Sequence, residues 1–373
     1  MNTKTLIKSF VVKRWEKRIG SQYSEQFRKE RRKIQIDKKL STEQKKEIKK
    51  FYKRVWGKKV NTMYHEYYIR NGLFSPNYIP VDLYRSKIVY RLNDFRMKDA
   101  YVDKNIFEKI FGNMIKHPKT ILRRINGLYY NGNYQTIKEE EAIILCSNLS
   151  NVIIKPSIET TNGDRVKLIS IKDGVIEQSK QSLIELFTVY GKHFIIQKQV
   201  EQHDSLFSLN PSSTNTIRIL TYRREETKEI VPLYSALRIG RKGKIVDNVG
   251  SGGFSVKISS DGVLQKYGYS IGYSLPFEYT DTGIKLEGYR LPFFERIIHV
   301  CKELHNQLPY FDLAGWDISI DKGGEPVLIE WNVSPDLLQS AGPAFREYTE
   351  EILKRVRKSK TTRYLKLVGE SFR

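Results

Sequence analysis

Asp317, Glu330 and Asn332 are the residues of this 373-residue chain whose types and spacing most directly suggest chemistry. They lie in residues 315–335, GWDISIDKGGEPVLIEWNVSP, where two β-rich runs flank Gly323-Gly324, a pair suited to a two-residue hairpin turn. That turn sets Asp317 directly opposite Glu330, with Cβ atoms roughly 5 Å apart, and Asn332 shares their face. Facing carboxylates repel unless a cation lies between them. Hard oxygen donors at this spacing suit magnesium, which keeps some water and accepts phosphate oxygens. The competing reading is a surface hairpin with incidental acids. It must place the apolar run Val327-Leu328-Ile329 beside two uncompensated carboxylates.

The elements around that hairpin follow from local patterning. Residues 151–155 (NVIIK) form an apolar strand ended by Pro156, then a turn-rich stretch, 157–164, and a hairpin of 166–171 with 175–178 about Asp173-Gly174. Residues 193–200 make another strand, and 216–223 and 231–240 are two more that pair. Residues 104–116 and 137–147 read as helical. Apolar residues at 291, 294, 297, 298, 301, 304 and 308 trace a core-facing helix. There is no internal repeat.

The formal charge of +23 resides at the ends. Residues 1–60 contain 21 Lys/Arg and 6 Asp/Glu, residues 351–373 contain 8 and 2, and the 290 residues between are nearly neutral. That distribution argues against an extended basic groove, so no specific nucleic acid is expected. In the first helix Leu6, Ile7, Phe10 and Val11 share a face, which either lies on an anionic membrane surface or packs onto its own protein. The lysine-rich residues 45–59 read as a solvated helix face. Cys146 and Cys301 sit among apolar neighbours and read as small buried hydrophobes of a reducing compartment. No apolar run reaches the ~18 residues that span a bilayer, and the first residues lack the pattern of a signal peptide. A cytoplasmic location is expected, with the basic ends able to rest on the inner membrane face.

Several spaced elements then become familiar. Asp317…Glu330-x-Asn332-x-Ser334-Pro335 resembles the metal-binding end of ATP-grasp enzymes, especially the branch of glutamate ligases acting on ribosomal protein and the sugar-transfer-associated ATP-grasp proteins. The resemblance spans residues 95–345. Lys155, at the end of 152–156 (VIIKP), resembles the family's nucleotide-binding lysine, and Lys104 in Asp103-Lys104-Asn105 its second phosphate lysine. As point cations both suit phosphate; taken alone, each is also a plausible surface lysine. Residues 160–164 (TTNGD), with Gly163, resemble the phosphate-covering loop. Residues 193–201 (HFIIQKQVE) resemble the strand and hinge that seat adenine. The resemblance assigns Gln197 to the adenine amino group and the backbone of Lys198 to Val200 to the base, while Glu201, His203 and Asp204 compete for ribose. Arg218, Arg238 and Asn248 match residues lining the acceptor and acyl-phosphate site.

The resemblance implies an α+β ATP-grasp fold, two α/β subdomains gripping ATP between basic helical extensions. The expected division is a basic extension at 1–60, a helical part at 61–150, a small subdomain at 151–200, a catalytic subdomain at 201–345 and a basic tail at 346–373. The implied cofactors are ATP and Mg²⁺. The implied reaction joins a small carboxylate, through an acyl phosphate, to an amine, hydroxyl or sugar-linked acceptor in cell-surface polysaccharide biosynthesis. The alternatives are a sugar or alcohol kinase on the same fold, and a non-catalytic basic scaffold.

Overall fold

A computed structural model of the protein describes residues 3–33, 39–158, 163–270, 276–339 and 342–359, and side chains are described outside 3–9, 33 and 71. Two antiparallel sheets organise it. The first contains β1 (Thr120–Ile125), β2 (Leu128–Asn131), β3 (Thr136–Ile137), β4 (Leu149–Pro156), β5 (Lys167–Lys172), β6 (Val175–Ile176) and β7 (Phe194–Lys198), in the order β3-β2-β1-β7-β4-β5-β6. The second contains β8 (Thr216–Arg223), β9 (Ile230–Ile239), β10 (Phe254–Ile258), β11 (Leu264–Tyr269), β12 (Leu313–Ile320) and β13 (Pro326–Asn332), in the order β11-β10-β9-β8-β12-β13.

In the first sheet, Val152, Ile154, Phe194 and Ile196 face helices Glu139–Cys146 and Leu183–Tyr190, whose Ala142, Cys146, Leu186 and Phe187 close a core. The second helix starts with a reciprocal capping box between Ser182 and Glu185. The opposite face is polar. Arg123, Ile195 and Lys155 are cross-strand partners on β1, β7 and β4, so they share one row of that face.

The sheet begins earlier than the sequence suggests. Thr120–Ile137 supplies three strands of it, whereas residues 61–150 were expected to be a helical part preceding a subdomain that starts at 151. Arg123 and Arg124 interrupt the apolar alternation that marks a strand, and only pairing with β7 reveals β1. The helix expected at 104–116 is three short pieces, Lys104–Ile106, Phe107–Phe111 and Gly112–Met114.

In the second sheet, Ile217, Ile219, Phe254, Trp316 and Ile318 meet Ile297, Cys301 and Leu304 of helix Phe294–Asn306, the stripe expected from its periodicity. The other face divides into two halves. One half, Leu220, Tyr222, Tyr234 and Leu313, lies beneath helices Thr42–Val55 and Thr349–Lys358 and the helical stretch 81–92. The other half carries Thr216, Arg218, Arg238, Asp317 and Glu330.

The long helix Thr3–Lys33 packs onto 81–92 through Val12, Trp15 and Glu16. Its inner face is therefore not the expected one of residues 6, 7, 10 and 11. Val11 flanks the contact, Phe10 is 66% exposed, and the side chains of Leu6 and Ile7 lie outside the described ones. Trp15 meets Tyr90 edge-on at 4.8 Å, and Glu16 pairs with Lys87 and Arg91. A buried carboxylate with two cations fixes the rotation of the helix better than a short apolar stripe could.

The β12–β13 hairpin reaches the expected facing by an unexpected route. Its loop has three residues, 322–324, with Gly324 left-handed at φ +85° and the Asp321 N–H donating to the Glu325 carbonyl. This pairs Ile318 with Leu328, one position away from the register of a two-residue turn. A bulge at Ile329 then restores the offset, and Asp317 stands opposite Glu330. At the far end of the hairpin, a Cβ on Gly315 would lie 2.5 Å from the Pro335 ring. Gly315→Ala is expected to cost about 1–3 kcal/mol by overpacking, read as a lower midpoint of urea unfolding with an unchanged slope.

Candidate active site

The charged half of the second sheet is built from adjacent rows. Glu330, Asp317, Arg218 and Ala236 are successive cross-strand partners on β13, β12, β8 and β9, and Thr216 with Arg238 forms the next row. Asp317, 3% exposed, is the hub. Arg218 grips it two-pronged, Nε to Oδ1 and Nη2 to Oδ2 at 2.7 Å. Arg238 Nη1 adds a bond to Oδ2 at 3.0 Å, and Asn332 Nδ2 lies 3.4 Å from the same oxygen. Arg238 also donates from Nη2 to Asp247 Oδ1 at 2.6 Å, and Thr216 donates to the other Asp247 oxygen.

Burial alone would raise the Asp317 carboxyl; the Arg218 and Arg238 guanidiniums outweigh it and hold the carboxyl below its usual range. Asp247 goes the other way, because its burial exceeds the help from Arg238.

Two lysines approach from the first sheet. Lys104 Nζ lies 3.0 Å from Glu330 Oε1. Its backbone turn is clamped: the Lys104 N–H donates to the Ser157 carbonyl, and the Asn105 carbonyl accepts from Arg123 Nη1 at 2.9 Å and the Tyr134 hydroxyl at 2.7 Å. Arg123 is fully buried, lies 4.0 Å over the Tyr134 ring and pairs with Glu108 at 2.6 Å. Nearby His117 is half-buried and, through desolvation, pushed down to about 4, so it is neutral at pH 7. Lys155 is buried beside Lys104 and, among the described residues, has no carboxylate within ion-pair distance. Burial, then the neighbouring Lys104, pull its ammonium down to about 8 against the pull of Glu330.

The expected metal ligands do converge, with differing availability. Asp317 has three donors around Oδ2 and one at Oδ1. Glu330 keeps one oxygen clear of Lys104, and its side chain is 30% exposed. With the Asn332 amide nitrogen directed at Asp317, its oxygen is left for another partner. Among the described residues no three His, Cys, Asp or Glu cluster as a metal site. Two carboxylates and one amide oxygen nevertheless fit a hard cation that takes its remaining ligands from phosphate and water.

The other expected contacts divide between open groups and groups with structural tasks. Gln197 lies on the polar face of the first sheet, but its amide donates to the Pro118 carbonyl at 3.3 Å and Thr120 Oγ1 at 3.1 Å, bracing β7 against residue 118. The Lys198 N–H donates to the Lys119 carbonyl, and Val200 is half-buried. The His203 ring accepts from the Ser205 N–H and caps helix Asp204–Phe207, which leaves Glu201 and Asp204 as the exposed carboxylates beside the hinge. Asn248 accepts from the Gly250 N–H at 2.7 Å and shapes the loop after Asp247. Gly163, at φ +69°, lies against Val246 of the β9–β10 connection; residues 159–162, the rest of the expected phosphate-covering loop before it, lie outside the described ones.

Sequence reasoning overlooked four contributors. Asp247 and Glu108 hold Arg238 and Arg123, pairings that come only from the packing of strand on loop and helix, and Arg123 was hidden by its arginine neighbour. The fourth, Arg85, comes from the π-helical turn Tyr84–Ile88 and binds the Ser334 carbonyl at 2.8 Å, with Asp336 as its ion-pair partner, while the Tyr84 hydroxyl donates to the Pro335 carbonyl at 2.7 Å. The turn thus fixes the segment that follows Asn332. A π-turn of this kind is a common site feature that composition does not reveal.

Two antiparallel sheets with opposed charged faces define an ATP-grasp fold. The family model described as sugar-transfer associated ATP-grasp matches residues 84–352, and the chain belongs to that family. Comparison with curated proteins finds no match. Among solved structures, the chain is similar to the VanG D-Ala:D-Ser ligase of Enterococcus faecalis, at 14% identity over 68% of this chain and 60% of that one, TM-score 0.39. It is also similar to the D-alanine–D-alanine ligase of Bacillus anthracis complexed with ATP, at 16% identity over 72% and 68%, TM-score 0.36. The biotin carboxylase domain of the Hydrogenobacter thermophilus 2-oxoglutarate carboxylase follows at 10% identity over 72% and 48%, TM-score 0.42. The chain therefore spans about three fifths of the length of the first of these. Among the described residues no helix is long and apolar enough to cross a membrane.

Replacing Asp317 by Asn leaves Arg218 and Arg238 without their shared anion, and is expected to cost about 3–5 kcal/mol of folding stability. The folded carboxyl titrates below its unfolded value near 3.9, so its contribution is complete above that value and is lost as pH falls through the lower one. Urea unfolding should show a constant gap between wild type and variant from about pH 5 to 8, narrowing below about pH 4.

Proposed function

We propose that the chain binds ATP between its two sheets and uses it to activate a carboxylate as an acyl phosphate, which an amine or hydroxyl of a saccharide-linked acceptor then captures. The observation that carries this reading is Lys155, a buried ammonium with no carboxylate at ion-pair distance among the described residues, set beside Lys104 on the wall facing Glu330. Two juxtaposed cations over a carboxylate face suit a polyphosphate with a divalent ion. Glu330, Asn332 and the less crowded oxygen of Asp317 would hold magnesium, which when bound screens phosphate charge.

On this reading Lys104 and Lys155 hold the nucleotide phosphates, while Arg218 and Arg238 stay aimed by Asp317 at the side where the substrate carboxylate enters. The carboxylate oxygen attacks the γ-phosphorus and ADP leaves. The acceptor then attacks the acyl carbon and phosphate leaves. The Gly163 loop, over Val246, is the segment suited to exclude water. The saccharide acceptor rests on the family's description alone.

A coupled assay over pairs of amino acids and nucleotide sugars tests the proposal. Equimolar ADP and phosphate should appear only with both substrates present, and Lys155→Ala should lower the rate at least about 100-fold. ADP without free phosphate would indicate a kinase instead; no turnover with any pair would remove the proposal.

The same lysine predicts a pH dependence. Phosphate favours its charged form, so its value rises from about 8 when nucleotide binds. ATP affinity should be greatest below pH 8 and fall up to about tenfold per unit above it. Calorimetric titration of wild type at pH 7 and pH 9 measures this, and Lys155→Ala should flatten the difference.

A further inference from the structure

Both strongly basic ends of the chain fold into one helical layer. Helices Thr42–Val55 and Thr349–Lys358 are joined by Arg54 Nη1, which donates to both Glu350 oxygens at 2.7 and 2.8 Å, and by Arg357 donating to the Val55 carbonyl. Both bury their apolar residues in one core: Ile48, Tyr52 and Val55 from the first, Ile352, Leu353 and Val356 from the second. Lys46, Lys49, Lys50 and Lys53 remain exposed on one helix, and Lys354, Arg357 and Lys358 on the other.

Helix Thr3–Lys33 extends this layer. At 100° per residue, the direction opposite the side of buried Val12, Trp15 and Glu16 and partly buried Ile19 falls on Phe10 and Lys17, flanked by Lys13 and Arg14. All four of these outward residues are exposed, Phe10 the most prominently among the large apolar residues of the described helices near the chain start. Between this helix and residues 56–61 runs a cleft of about 390 Å³, lined by Lys17, Arg28, Lys58, Lys59 and Lys87 with Glu16 and Asp82. Lys87 and Arg91 already satisfy Glu16, so the cleft remains cationic.

We propose that this layer is a docking surface for an anionic phospholipid bilayer. Cations spread over the convex outer faces of helices match a plane of headgroups, and their stems can lie along it while the charges reach phosphate. Phe10 decides between the anionic partners. A solvent-exposed ring amid cations gains from insertion among acyl chains, while the phosphate backbone of a nucleic-acid duplex offers it nothing apolar. The remaining 290 residues are almost neutral, so the attraction orients the molecule with the layer inward. The stretch 81–92 then lies between the layer and the active site, since Lys87 and Arg91 hold Glu16 on one side and Arg85 holds residues 334–336 on the other. A docked molecule would turn over acceptors close to the membrane surface.

The surface is separate from the charged site around Asp317 and Lys155, so its test does not depend on the reaction. Full-length chain is sedimented, without nucleotide and at about 0.15 M salt, with vesicles of phosphatidylcholine alone or with phosphatidylglycerol added. Partitioning should be at least about tenfold higher on the acidic vesicles. Phe10→Ala, the triple change Lys13→Glu, Arg14→Glu and Lys17→Glu, and the triple change Lys46→Glu, Lys49→Glu and Lys53→Glu should each weaken it severalfold without changing the melting temperature. Equal binding to neutral vesicles, or charge reversals without effect, would overturn the proposal. So would retention on polynucleotide by a chain that ignores acidic vesicles.

Discussion

One carboxylate organises the charged half of the second sheet. Asp317 is out of water, opposite another acid, and tolerable there because two guanidiniums on neighbouring strands share it. In return it straightens both arginines along the sheet and holds their planes. Arg238 extends the arrangement through Asp247 to the loop that Asn248 shapes, and Glu330 extends it in the other direction to Lys104. Removing a member of such a buried set leaves its partners charged and unpaired, which is why its cost exceeds that of a surface ion pair.

That arrangement needs a sheet face that is apolar at one end and charged at the other. The apolar end, around Leu220, Tyr222 and Leu313, is closed by helices from both chain termini. The extensions are therefore part of the core built on the second sheet, and not appendages to it. Their apolar residues complete the fold, and their lysines give the outside of the molecule its charge. Tyr84 and Arg85, in the helix that joins these helices to the site, fix the carbonyls just beyond Asn332.

How much of this the sequence discloses depends on the range of the interaction. The hairpin was legible because its signals are local, although the facing of Asp317 and Glu330 depends on a three-residue loop and a bulge that cancel. The pairing of β8 with β9 and the 291–308 stripe were legible for the same reason, as strong periodicity. Strand β1 was not, since Arg123 faces a buried turn, Arg124 reaches the Phe187 carbonyl on the other face, and only the fold supplies these partners. The polar residues of the hinge show the other limit. Gln197 and His203 have types that suit nucleotide contact, yet one braces β7 and the other caps a helix. A residue's type states what it can bond; only its neighbours decide what it does bond. The rotation of the first helix turned on Glu16, a charged residue that pattern reading assigns to solvent.

The central claim is that the charges of Asp317, Glu330, Lys104 and Lys155 are arranged for a polyphosphate carried with a divalent cation. Its most direct test is the affinity for ATP with and without Mg²⁺, compared between wild type and Glu330→Gln. The account predicts that Mg²⁺ strengthens binding at least about tenfold in wild type, and that the variant loses this gain while still binding ATP weakly through its lysines. Equal affinity with and without the cation in wild type, or an undiminished gain in the variant, would contradict it.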